Sequence, residues 1–501
     1  MAATASARPL PVLGRGTPSR DRYTIEEPFL GPREHAEVER LKQHLFEGGR
    51  PPPPSGDPAA TRALLLDRVE QIWETSPPPL DELARSRVVY HLTRELVGFG
   101  PIDVPMADPE VEDISCDGVD VPIYVHHRRF GSLRTDLRFR REEDLDRYVT
   151  WLAQRAGAHL SLARPLLEAT LPGGARLQAS LGRQVTTRGS TFTIRRFSDR
   201  PLSPLDLIRR GTASPQIMAF LWMAIEAGES FMVCGGTASG KTTTLNAALQ
   251  FVPSERKVVS IEDTRELNLP HENWVPLVTR SGTGAGAGRD LPSDGSIDMF
   301  DLLAAALRQR PQYLAVGEVR GREAYTVFQA MATGKTCLAT FHAESVAALV
   351  HRMESPPIEL PRALIAALPL VLLQRQVVVA DAPARRIQSV TEIAGRDPET
   401  DELVTSAVFE WDPAEDRFAF TGQSRLLRRR SEEGGGPAPV DRELDRRSEL
   451  LGHLAALPPE AVGPVELSRW LAAYAREPDG TVAAARSVAE GDRSPERGRP
   501  T

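Results

Sequence analysis

Cysteine is scarce in this chain. The three residues, Cys116, Cys234 and Cys337, are scattered over 501 positions and show no metal-ligand spacing. Two of them sit in apolar runs, where a thiol behaves as a small buried hydrophobe, and the pattern fits a reducing compartment. Long hydrophobic runs are also missing. The most extended apolar stretch, Ala363 to Val379, is interrupted by Pro369 and Arg375. It falls short of the roughly 20 clean apolar residues that a membrane-spanning helix needs. The N-terminus carries arginines without an apolar segment behind them, so it does not read as a secretory signal. Excess positive charge is lacking too, since the formal net charge is −7. That argues against broad, non-specific nucleic-acid affinity, and no stable nucleic-acid binding is expected. With 41% apolar and 26% charged residues, the chain has the composition of soluble globular protein. Its length suits two or three domains.

One stretch organises the rest: Gly235-Gly236-Thr237-Ala238-Ser239-Gly240-Lys241-Thr242. The apolar run Phe231 to Cys234 precedes it, and Thr243 to Phe251 reads as a helix. Strand, G-x-x-x-x-G-K-[ST], then helix is the phosphate-binding P-loop in its proper context. The glycines let the backbone wrap a phosphate chain, and the amides at the helix start point at it. Lys241 can reach the β- and γ-phosphates, and the Thr242 hydroxyl can ligate Mg²⁺. Gly235 to Thr242, with Thr243, are therefore the expected nucleotide-binding residues.

In chain order, residues 1–21 read as a disordered tail and 22–99 as a helical region interrupted by Pro51 to Pro54. Residues 100–198 read as a small α+β, PAS-like domain, with strands at Val111–Ser115, Pro122–His126, Leu133–Phe139, Arg176–Leu181 and Thr191–Phe197 and a helix over Arg141–Ala156. A linker is expected at 199–204, then an α/β motor domain over 205–430. Within it Ser281 to Ser296, rich in Gly, Ala, Ser and Asp, reads as a mobile surface loop. The chain after Ala343 reads as helical through Val371, followed by hairpin strands. A linker at 431–439 and a helical tail at 440–501 complete the expected order.

A P-loop enzyme needs acids to hold Mg²⁺ and to handle the attacking water. Two apolar strands end in such acids: Val258 to Ile261 leads into Glu262 and Asp263, and Tyr313 to Val316 leads into Gly317 and Glu318. Side chains at the carboxyl ends of such strands project toward the ligand. Thr242, Glu262, Asp263 and Glu318 are the candidate Mg²⁺ ligands. A third strand, Cys337 to Phe341, ends in His342, which could place an imidazole at the γ-phosphate.

The P-loop, Ile261-Glu262-Asp263-Thr264, Val316-Gly317-Glu318-Val319-Arg320-Gly321-Arg322-Glu323 and Thr333-Gly334 to His342-Ala343 occur in that order. Together they resemble the Walker A, aspartate, atypical Walker B and histidine boxes of the type II and type IV secretion ATPases. The wording of Asp113 to Gly118, Gly189 to Arg195 and Phe328 to Gly334 resembles the archaeal branch of that family, which powers assembly of type IV-like pili and the archaellum. The resemblance runs from about Tyr23 to about Tyr474. It implies a RecA-like motor domain with a smaller N-terminal domain, a homohexamer, and an active site between the two domains. ATP and Mg²⁺ are the implied cofactors, an inner-membrane platform protein the direct partner and pilin-like subunits the indirect ones. The implied location is cytoplasmic, membrane-associated only through a partner. Carried over by position, Glu262 and Glu318 would be the catalytic acids and His342 the γ-phosphate sensor. Arg176, Arg195 and Arg196, with Arg320 in the motor domain, would be the candidate catalytic arginines.

Two positions depart from the family pattern. Lys335 stands where the histidine box has its first His, and Gln312 where an acid commonly precedes the Walker B strand. Lys335 suggests a slower or differently gated ATPase. A DNA-uptake or DNA-transfer motor, and a weakly hydrolysing nucleotide-binding scaffold, are the alternative readings.

Overall fold

A computed structural model describes residues 14–47, 58–196, 201–280, 297–380, 382–433 and 437–491. The loop expected at Ser281–Ser296 lies outside the described residues, as do Phe197, the start of the N-terminal tail, the start of the 199–204 linker, 434–436 and the end of the C-terminal tail. The chain divides into two compact units, Met1–Ser198 and Asp199–Thr501.

In the first unit, helices Pro32–Glu47, Pro58–Thr75 and Glu82–Leu96 share an apolar seam of Val38, Leu41, Leu65, Val69, Val88 and Leu92. Asp81 caps the third helix by accepting from the Ala84 amide at 2.7 Å. The unit also holds an eight-stranded sheet. Its strands are β1 (Arg15–Pro18), β2 (Arg22–Glu26), β3 (Val111–Cys116), β4 (Pro122–His127), β5 (Gly131–Arg138), β6 (Leu166–Thr170), β7 (Arg176–Ser180) and β8 (Thr191–Arg195). Their order is β1-β2-β5-β4-β3-β8-β7-β6, antiparallel except for β2 against β5. Alternation decides which face is buried: Phe192 and Ile194 of β8 point to the same core as Leu145, Val149 and Leu152 of helix Glu142–Arg155.

Residues 15–18 correct the expected disordered tail, and 22–26 correct the all-helical reading of 22–99. β1 carries no alternating apolar residues to signal it. It is held by backbone pairing to β2, which is anchored by the fully buried Tyr23, whose hydroxyl donates to Asp108 at 2.8 Å.

The second unit is built on nine strands: β9 (Phe231–Gly235), β10 (Val258–Glu262), β11 (Trp274–Val278), β12 (Tyr313–Val316), β13 (Thr336–Phe341), β14 (Leu370–Val379), β15 (Ala382–Arg396), β16 (Leu403–Asp412) and β17 (Arg417–Phe420). The order is β11-β10-β12-β13-β9-β14-β15-β16-β17. The first six are parallel and the last four run as an antiparallel meander from β14. β9 is buried along its whole length because both of its faces are covered. Phe231 and Val233 enter one core, Met232 and Cys234 the other. Such a strand reads as a continuous apolar run rather than an alternation. The same property hides β14: Leu370 and Val371, expected at the end of a helical stretch, begin the segment that pairs in parallel with β9.

The C-terminal helices are part of this unit's core, which corrects the expectation of a separate linker and tail. Helix Arg425–Glu433 and helix Pro437–Ala456 occupy most of 431–439. Leu444, Leu451 and Leu454 join Leu467, Trp470 and Tyr474 against Phe220 and Trp222. Arg447, only 6% exposed, lies 4.2 Å over the Trp222 ring and pairs with Glu226 and Glu443, each at 2.7 Å. Among the described residues no helix is long and apolar enough to cross a membrane. The molecule is thus an α/β protein: a RecA-like P-loop unit preceded by a smaller α+β domain and a helical segment.

Candidate active site

β9 delivers the P-loop to the carboxyl edge of the parallel strands. Gly235 is required by packing, since a Cβ there would stand 2.2 Å from the Gln374 carbonyl oxygen of β14. Gly240, at φ +94°, supplies the left-handed residue that starts helix Lys241–Leu249. Within the loop, Gly236 O accepts from Ser239 Oγ and from Lys241 Nζ, both at 2.9 Å. Lys241 is 7% exposed, and this burial lowers its pKa against the opposing pull of Glu318. Thr237 and Ala238 are exposed, and Thr242 and Thr243 are half-buried at the helix start.

β12 and β13 bring the next groups to the same edge. Thr340 of β13 donates to Gly317 O at 2.5 Å, and the Val319 amide donates to Thr340 O at 3.0 Å. Glu323 fixes the far side of the turn by accepting from the Arg320 and Gly321 amides at 2.6 and 2.7 Å. Glu318 is thereby held beside the P-loop lysine. Its Oε1 is 3.0 Å from His342 Nε2 and its Oε2 is 2.5 Å from Arg320 Nη2. His342 Nδ1 in turn lies 3.5 Å from Lys241 Nζ. Burial alone would raise the Glu318 pKa, but Arg320, His342 and Lys241 outweigh it and hold the carboxyl below its ordinary value. Burial and Lys241 lower the His342 pKa, which favours a neutral ring donating through Nε2 to Glu318. Arg320 also pairs with the exposed Asp263 at 3.6 Å.

Glu262 is placed differently. It is 2% exposed, and its Oε1 accepts from the Glu266 and Leu267 amides at 2.8 and 2.9 Å, while Oε2 is buried without a partner. Burial pushes its pKa up to about 7 despite those two amides. Its packing also explains Gly317, because a Cβ there would meet Glu262 Cγ at 2.9 Å. Glu262 therefore ties down the loop that follows β10, whereas Glu318 faces Lys241. Spacing alone gave the two acids equal standing. A cavity of about 410 Å³ borders Glu318, walled also by Asp263, Asp298, Phe300, Arg320 and Arg322, and no P-loop residue lines it.

The two departures sit at the opposite edge of the sheet. Exposed Lys335 precedes β13 while His342 follows it, and six residues of strand separate them by about 20 Å. Gln312 precedes β12 and accepts from the Lys257 amide at 2.7 Å. Within this unit Lys335 lies at the far end of β13 from His342 and the phosphate site.

Arg176, Arg195 and Arg196 belong to the first unit and have partners there. Arg176 pairs with Glu168 at 3.1 Å and Arg195 with Asp113 at 3.0 Å, while Arg196 donates to the Val111 carbonyl at 2.9 Å.

A P-loop after β9, with His342 after the neighbouring β13 and Glu318 after β12 on the far side of β13, defines a RecA-like nucleotide-binding P-loop unit. The chain belongs to the family of Type II/IV secretion system proteins, whose model matches residues 105–408. It is 40% identical over 366 residues to an uncharacterised protein of Methanocaldococcus jannaschii, covering 72% of this chain and 65% of that protein. It is 35% identical over 216 residues to the type IV secretion system protein PtlH of Bordetella pertussis, covering 38% of this chain and 60% of PtlH. The chain thus spans 60–65% of these two relatives' length. Among solved structures, the Legionella pneumophila ATPase DotB aligns with a TM-score of 0.40 at 19% identity, over 59% of this chain and 80% of DotB.

Proposed function

We propose that this protein is the ATP-hydrolysing motor subunit of a secretion-type machine that assembles a pilus-like or archaellum filament. It acts as a homohexamer on an inner-membrane platform protein, with pilin-like subunits moved indirectly. The observation that carries the reading is the convergence of Lys241, His342, Glu318 and Arg320 at the P-loop. Lys241 exchanges its bond to Gly236 O for phosphate oxygens. Thr242, with Glu318 and Asp263 nearby in the fold, offers the oxygen donors that suit Mg²⁺, a cation that takes few protein ligands and completes its shell with phosphate and water. Glu262, committed to backbone amides, holds the Asp263 loop rather than the ion. Mg²⁺ held by Thr242, Glu318 and Asp263 would supply positive charge to the transferring phosphate. Glu318, kept ionised by its neighbours, orients and deprotonates the attacking water, and neutral His342 relays contact between Glu318 and Lys241. Arg320, and an arginine from among Arg176, Arg195 and Arg196, supply positive charge to the transition state.

Steady-state ATPase assays on the full chain, with light scattering in the presence of ATP and Mg²⁺, test the proposal. The expected result is Mg²⁺-dependent phosphate release from a ring-sized particle. A fully active monomer would refute the assembly.

A further inference from the structure

The hairpin of β14 and β15 gives the P-loop a second wall that the chemistry above leaves unused. Gln374 lies on β14 in register with Gly235. It is 1% exposed, its Oε1 is buried without a hydrogen-bond partner, and its Nε2 stands 3.0 Å from where a Cβ on Gly240 would be. Above it Arg385 of β15, an exposed residue, crosses the same loop: its Nε donates to Ala238 O at 3.1 Å, and its Cδ is 3.0 Å from that Gly240 position. Ala238, at φ +59°, turns that carbonyl toward the hairpin's arginine at an unusual backbone angle for a non-glycine residue.

The arginine is rigidly mounted. Its neighbour Arg386 grips Asp416 through two bonds of 2.7 and 2.8 Å and donates to the carbonyls of Arg385 and Arg210 at 2.9 and 3.1 Å. That grip holds the Asp416 carboxyl down to about 2, so the pair stays charged across the working pH range. Among the described residues Arg385 itself forms no ion pair with an acid.

Positive charge therefore flanks the loop on both sides. Lys241 and Arg320 gather on the β12–β13 side with Glu318, and Arg385 stands on the β14–β15 side. Given the proposed function, a nucleotide whose terminal phosphate meets Lys241 and Glu318 runs along the loop with its ribose end toward Arg385. We propose that Arg385 is a nucleotide-binding residue. Its guanidinium donates to the phosphate nearest the ribose of a bound nucleoside di- or triphosphate, with Gln374 bracing the loop from below.

The test is binding of ADP and ATP to full-length wild type, Arg385→Ala and Arg385→Lys, with steady-state kinetics on each. Loss of one charge-assisted hydrogen bond predicts a rise of about tenfold in Kd for both nucleotides in Arg385→Ala. The catalytic loss should be carried by KM rather than kcat, and Arg385→Lys should recover part of the affinity. Unchanged ADP affinity in a folded Arg385→Ala, or a loss confined to kcat, overturns the inference. Wild type that binds no nucleotide would instead overturn the function it rests on.

Discussion

Replacing Glu262 by Gln removes a carboxyl whose pKa the fold raises from 4.5 to about 7 while keeping an oxygen for the Glu266 and Leu267 amides. A carboxyl with a raised folded-state pKa binds its proton more tightly in the native state. Its contribution is fully present below the unfolded value of 4.5 and is lost as pH rises through about 7. At about 1.4 kcal/mol per unit, the complete loss is on the order of 3 kcal/mol. Roughly three quarters of that falls between pH 5 and pH 8. The glutamine does not titrate, so its stability relative to wild type should improve over that interval by about 2–3 kcal/mol. Any fixed penalty for its buried amide cancels when the two pH values are compared. Thermal melts of wild type and Glu262→Gln without nucleotide, at pH 5 and pH 8, read this directly. The gap in Tm should move in the variant's favour by about 3–5 °C, for a unit of roughly 300 residues. A gap that does not change with pH, or one that moves toward wild type at pH 8, would show that Glu262 is ionised and satisfied in the native state.

Three further outcomes follow from the packing and the site. Gly235→Ala forces a Cβ to within 2.2 Å of the Gln374 carbonyl, a backbone atom that cannot swing aside, so the loop must shift and nucleotide affinity in equilibrium titration should fall at least tenfold. Arg447→Ala leaves Glu226 and Glu443 without their shared cation and uncovers Trp222, so chemical denaturation should show a loss of about 3–5 kcal/mol. Lys241→Ala removes the cation that Gly236 O and His342 now face, and ATP binding followed by calorimetry should weaken well beyond the loss in Arg385→Ala.

The P-loop was readable because its chemistry is local: glycines, a lysine and a threonine at fixed spacing between an apolar strand and a helix. Glu318 and His342 were readable as strand-ending groups, and the parallel sheet order then brings them to one point. What stayed hidden depends on distance in the chain. β14 was misread because a strand buried on both faces has no period of two. β1 was missed because it is held by backbone pairing alone. The C-terminal helices looked like an appendage because nothing in their own sequence names Trp222 as their target. The division of labour between Glu262 and Glu318 was equally out of reach, since it rests on which carboxylate is spent on backbone amides. Arg385 lies 147 residues from the carbonyl it holds, and no motif marks it.

The central claim is that Glu318 is the acid acting on water at this P-loop. Its most direct test is Glu318→Gln, measured for ATP binding and for single-turnover hydrolysis with Mg²⁺. The account predicts ATP affinity close to that of wild type and a hydrolysis rate lower by about 10²–10⁴-fold. Hydrolysis at the wild-type rate in that variant would contradict it.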